Sequence, residues 1–110
     1  MKTIKLGKQT VSRNGPALVV RLPEKWLVTN GLELGQPLYS VLTIDNVLRV
    51  HLEHREWSKK AKIRRVSARG AAYLNINTEH ARELGITDGS VVEMSADPEH
   101  GVLMISKAKG

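Results

Sequence analysis

One order of motifs occurs twice within the 110 residues. Val11-Ser12-Arg13-Asn14-Gly15 returns 55 residues later as Val66-Ser67-Ala68-Arg69-Gly70. Gly31-Leu32-Glu33-Leu34-Gly35 returns 54 residues later as Gly85-Ile86-Thr87-Asp88-Gly89, and Val47-Leu48-Arg49-Val50 lines up with Val102-Leu103-Met104-Ile105, again 55 apart. The one-residue slip falls where Gly15-Pro16-Ala17 stands opposite Gly70-Ala71, a turn, where an insertion disturbs no packed element. A repeat unit of roughly 45 residues buries too little apolar surface to be stable alone, and its hairpins leave open sheet edges. Two copies closing on each other resolve both problems.

Within the first copy, residues 8–12 read as a short strand. Asn14-Gly15 is a two-residue hairpin signal of the type I′ kind, because both residues tolerate positive φ. Leu18, Val20 and Leu22 alternate with Val19 and Arg21, the pattern of a half-buried strand. Pro23 suits the first turn of a helix over 24–30, and Gly31 ends it. Residues 41–43 and 47–52 flank Asp45-Asn46, a second hairpin. The second copy repeats the order: strands over 63–67 and 72–76, Asn77 as the cap of a helix over 78–84, Gly85 as its end, and a hairpin of 90–95 with 102–106. Residues 52–61, rich in Lys, Glu and Arg, read as a linker that extends to at most ~33 Å, enough to cross a small barrel. The expected organisation is a first repeat over 1–51, a basic linker over 52–61 and a second repeat over 62–110.

These motifs resemble the SpoVT-AbrB, or swapped-hairpin, domain of transition-state regulators and MazE-type antitoxins. The resemblance lies in Arg13-Asn14-Gly15, Val19-Val20-Arg21-Leu22-Pro23 and Gly31-Leu32-Glu33-Leu34-Gly35. It continues in Ile63-Arg64-Arg65-Val66, Arg69-Gly70, Leu74-Asn75-Ile76 and Leu84-Gly85-Ile86-Thr87-Asp88-Gly89. It departs from the family at Asn77, where the strand-ending Pro is expected, and at Pro16 after the first turn glycine. The resemblance implies a mostly β fold with two short helices: a swapped-hairpin β-barrel formed by two ββαββ repeats, an intra-chain pseudo-dimer. It also implies that the basic first hairpins of both copies lie against duplex DNA.

Charge placement points the same way. The chain carries 17 Lys+Arg against 11 Asp+Glu, a net +6. Residues 1–30 carry +5 and residues 49–69 carry +6, while 31–48 and 70–110 carry −2 and −3. Both positive segments lead into the first hairpin of a repeat, the footprint expected of a duplex-binding face. Arg13, Asn14, Arg64, Arg65 and Arg69 are the candidates for entering a groove, since guanidinium chelates guanine and carboxamide chelates adenine. Lys8, Gln9, Ser12, Lys62 and Ser67 are candidate phosphate contacts, which set position without reading sequence. Arg21 and Arg82 are placed to extend the surface, although Arg82, followed by Glu83, fits an ordinary exposed helix face as well. Lys59-Lys60 fit a solvated linker and a phosphate contact equally.

The expected function is sequence-preferring double-stranded DNA binding, as a transcriptional regulator in the cytoplasm at the nucleoid. The alternative is a protein-interaction module, antitoxin-like or scaffold, whose basic face meets an acidic protein. Only four aromatic residues are present, too few for the stacking platforms of single-strand readers. Cysteine is absent, which excludes disulfides and thiolate ligands, and the longest apolar run, 17–20, is too short to span a bilayer. No spacing supports a catalytic triad, a paired-carboxylate site or a metal site, so no enzyme activity, cofactor or metal is expected; His51 and His54 lack a third ligand. His80 is assigned to the exposed side of its helix, His100 to a turn, and Trp26 and Trp57 to core or interface positions.

Overall fold

Local chemistry sets the helix ends. In the computed structural model, which describes residues 3–65 and 71–108, helix α1 spans Glu24–Thr29 with Pro23 as its extended N-cap. Helix α2 spans Thr78–Leu84, where the Asn77 side chain accepts hydrogen bonds from the backbone N–H groups of Glu79 and His80 and Gly85 closes the C-terminus in the left-handed region. The remaining elements are strands: β1 (Ile4–Thr10), β2 (Ser12–Asn14), β3 (Ala17–Arg21), β4 (Pro37–Leu42), β5 (Leu48–His51), β6 (Lys59–Lys62), β7 (Arg64–Arg65), β8 (Ala72–Ile76), β9 (Val91–Asp97) and β10 (Val102–Lys107). The chain is therefore mostly β, with two short helices and two antiparallel sheets.

The six-stranded sheet runs β1-β9-β10-β5-β4-β6 and the four-stranded sheet runs β2-β3-β8-β7. Replacing every strand by its counterpart in the other repeat reverses each order and leaves it unchanged. The two repeats are thus related by a pseudo-twofold axis, and they exchange strands: β1 pairs with β9 of the second repeat, and β6 pairs with β4 of the first. The axis passes where β3 meets β8, between Val20 and Leu74, which face each other fully buried. Leu22, Leu38, Val50, Ile76, Val92 and Leu103 join them in one apolar cluster drawn from both repeats.

The register corrects the sequence alignment of the repeats. Val11 exchanges backbone hydrogen bonds with Gly89 and Ser90, both at 2.8 Å, and Ile63 does the same with Gly35 and Gln36 at 2.8 and 3.0 Å. The counterpart of Val11 is therefore the buried Ile63, not Val66, and that of Arg13 is Arg65, not Arg69. Sequence similarity misled here because the strands before the first hairpins are offset by 52 residues and those after by 54. The difference lies in the hairpins. Four residues separate the Arg13–Leu18 ladder pair, and six separate its mate Arg65–Ala72.

Other boundaries also move. The first strand begins at Ile4 rather than 8 and carries a bulge between Lys5 and Gly7. Residues 52–61, read as a linker, supply most of β6, whose Lys-rich sequence hides an edge strand because Ala61, paired with Leu38, is its one apolar residue. The first turn places Gly15, at φ +63°, and Pro16 between the paired Asn14 and Ala17. Proline holds its φ near −65°, so a type I′ turn, which needs two positive φ values, is closed to this sequence; one positive φ followed by proline fits type II′. Asn46, at φ +61°, serves the second hairpin as expected.

The two tryptophans part company. Trp26, 3% exposed, donates from Nε1 to the Gly101 carbonyl oxygen at 3.2 Å, fixing α1 of the first repeat to the β9–β10 turn of the second. Trp57 is 85% exposed in the turn before β6, outside the core. His80 is buried, not exposed: it occupies the third position of α2 as Trp26 does in α1, so its side chain takes the core-facing place.

Candidate nucleic-acid interface

Two short hairpins joined edge to edge form the four-stranded sheet, and its outer strands carry the basic residues. Ser12, Arg13 and Asn14 on β2 are all exposed, as are Arg64 and Arg65 on β7. Arg13 and its counterpart Arg65 stand on opposite edges, three strand spacings or ~14 Å apart across the sheet and four residues or ~13 Å apart along it. Arg21, exposed at the end of β3, lies directly opposite Tyr73, and Tyr73 lies opposite Arg64. Directly opposed residues share a face. Arg21 of the first repeat and Arg64 of the second therefore flank one half-buried tyrosine in a single row.

The remaining candidates sit on the longer strands. Lys8 on β1 pairs across the ladder with Glu93, Nζ to carboxylate 4.0 Å, both side chains more than half exposed. Such a pair contributes ~0–1 kcal/mol and leaves the ammonium available to another anion. Gln9 is half-buried opposite Val92. Lys62 is exposed at the end of β6, and alternation puts Lys60 on its face while Lys59 points with Ala61 and reaches Glu79 at 3.8 Å. Ser67 and Arg69 lie outside the described residues. Arg82 is exposed on α2, in a different element from the basic hairpins.

Two clefts flank this sheet at pseudo-equivalent places. The larger, about 640 Å³, is lined by Lys59, Lys60, Lys62 and Arg64 together with Asn75 and Thr78, and no acidic side chain lines it. Its mate, about 350 Å³, is lined by Lys5, Gln9, Arg21 and Lys25, with Glu24 beside them. Lys5 and Lys25 are not among the sequence candidates; the segment charge sums contain them, but only the fold of β1 over the hairpins gives them an address. For Lys59 and Lys60 the fold of β6 does the same.

The titratable groups lie elsewhere. Burial, with the nearby charge of Lys59, pushes the His80 imidazole below its ordinary range, and its Nδ1 has no hydrogen-bond partner among the described residues. Burial, followed by Arg55 and Arg49, does the same to His51. At the β9–β10 turn the Asp97 carboxylate accepts from the backbone N–H groups of Glu99 and His100 and meets His100 Nδ1 at 2.9 Å, which raises the imidazole and lowers the carboxyl. Ligand atoms of Asp97, Glu99 and His100 lie within 4.8 Å of one another, but the Asp97 oxygens are already engaged in closing the turn. No helix among the described residues is long and apolar enough to cross a membrane. No family model, curated protein or solved structure matches the chain.

Proposed function

We propose that the chain is a sequence-preferring double-stranded DNA-binding protein, a transcriptional regulator built as a single-chain pseudo-dimer of the swapped-hairpin SpoVT-AbrB type. The observation that carries the reading is the pairing of β3 with β8. It joins the first hairpins of both repeats into one sheet whose edges present exposed Arg13, Arg64 and Arg65. Each hairpin is a two-stranded ribbon, an element the major groove admits, and the Arg13, Arg64 and Arg65 guanidinium groups and the Asn14 carboxamide have the donors and acceptors to read base edges. Lys8, Lys60 and Lys62 on the flanking strands supply phosphate contacts that fix register. The exchange of β1 and β6 between repeats is the arrangement a swapped-hairpin barrel requires, and the family resemblance of the motifs adds to it.

Titration of duplex DNA at several salt concentrations tests this. Affinity is expected to fall steeply with salt, and Arg13→Ala combined with Arg65→Ala is expected to weaken binding far more than Lys107→Ala at the exposed end of β10, which lines neither cleft. Absence of duplex binding at low salt overturns the proposal; equal effects of the two variants remove the hairpins from the interface.

A further inference from the structure

The repeats match in backbone and differ in charge, and the register identifies the residues responsible. The row Arg64–Tyr73–Arg21 has as its pseudo-twofold mate Ser12–Val19–Asn75. One row carries two guanidinium groups and the other none. Along the strands, Lys60 corresponds to Lys8 and Lys62 to Thr10, as the mirrored pairs Tyr39–Lys60 with Lys8–Glu93 and Pro37–Lys62 with Thr10–Val91 establish. Lys8 faces a carboxylate across its ladder, whereas Lys60 faces a tyrosine. The clefts differ in the same sense: the one at β6 and β7 is larger and has no acidic lining, and its mate includes Glu24.

A protein with true twofold symmetry reads a palindrome, because its two halves make the same contacts. Unequal halves lift that degeneracy. We infer that the chain grips duplex DNA in a single orientation on a non-palindromic site, with Lys60, Lys62 and Arg64 as the principal phosphate clamp. The first-repeat lobe, with its tight Gly15-Pro16 turn, Lys8 held against Glu93 and Glu24 beside the lysines of its cleft, makes the weaker half-contact. This inference rests on the DNA-binding reading above.

The chain has no cysteine, so a single introduced thiol is labelled uniquely. An iron chelate attached at Thr10→Cys, on the first-repeat lobe, is expected to cleave the tightest duplex recovered from a randomised pool on one side of the site only. In parallel, Lys60→Ala/Lys62→Ala/Arg64→Ala is expected to flatten the dependence of log K on log salt by ~2.7, at ~0.9 for each phosphate no longer neutralised. Lys5→Ala/Lys8→Ala/Lys25→Ala should change it by less than half as much. Cleavage on both sides of the site, or equal slope changes, overturns oriented binding while leaving DNA binding intact. No duplex binding at low salt by the unsubstituted protein overturns both.

Discussion

Replacing Trp26 by Phe tests whether the two repeats are held together by the contact between α1 and the β9–β10 turn. The indole is 3% exposed, and its N–H reaches the Gly101 carbonyl, whose residue is itself buried. Phenylalanine keeps an aromatic ring in place but leaves that carbonyl without its donor, at a cost of about 1–3 kcal/mol. The pyrrole portion it omits removes one or two methylene equivalents of buried surface, about 1 kcal/mol more. The expected loss is therefore about 2–4 kcal/mol, a large fraction of the stability of a domain this size. Urea unfolding followed by far-UV circular dichroism measures it, as a lowered midpoint with an unchanged slope. Trp57→Phe is the control: that side chain is 85% exposed and should shift stability by no more than ~0.5 kcal/mol. If Trp26→Phe costs no more than Trp57→Phe, the hydrogen bond and its packing do not couple the repeats. If it splits unfolding into two transitions, the halves are not one cooperative unit.

Gly101→Ala attacks the same junction from the other side. Gly101 holds φ +69°, and an added Cβ would lie 2.8 Å from Asn30 Oδ1 and 3.0 Å from Leu52 Cδ1. Backbone strain of ~1–2 kcal/mol is then joined by displacement of Asn30, whose Nδ2 donates to the Trp26 carbonyl at 2.9 Å. Gly89→Ala, also at positive φ but in open space, should cost the strain alone; equal midpoints for the two variants would refute the steric part. A third prediction concerns pH. His80 and His51 are held below their ordinary range chiefly by burial, so the unfolded chain binds more protons and stability should fall as pH drops below about 6.5. His100, raised by Asp97, works in the opposite sense: its contribution is present in acid and is lost as pH rises through its folded value. His80→Leu should therefore reduce the acid loss of stability seen in thermal melts between pH 5 and 7, a window set by the ordinary histidine range of about 6.5. An unchanged pH dependence would show that His80 is not the buried group responsible.

Features governed by neighbours in sequence were legible before the fold. Asn77 caps α2 because its side chain needs only the N–H groups two and three residues on, and Gly85 and Asn46 stop or turn the chain through their own φ preferences. Alternation in 18–22 predicted β3, and the repeat itself predicted a doubled architecture. Strand β6 was not legible, because an edge strand of lysines shows no apolar alternation. Nor was the burial of His80, which depends on the place of α2 against the other repeat. The basic hairpins were found by charge, but their true mates were not: similarity aligned Gly15 with Gly70, whereas the backbone pairs Val11 and Ile63 with equivalent partners.

The sequence by itself determined that the chain is built twice, that each half opens on a basic hairpin, and where α2 begins and ends and the second hairpin of the first repeat turns. Those properties follow from residue types acting over a few positions. The tertiary structure decided that the halves exchange β1 and β6, that Val20 and Leu74 meet on the pseudo-axis, and that Arg21 and Arg64 share one row while their mates are uncharged. The reason is that antiparallel register is fixed between distant segments by which apolar faces can be buried together, and a slip of one residue would turn every side chain to the opposite face.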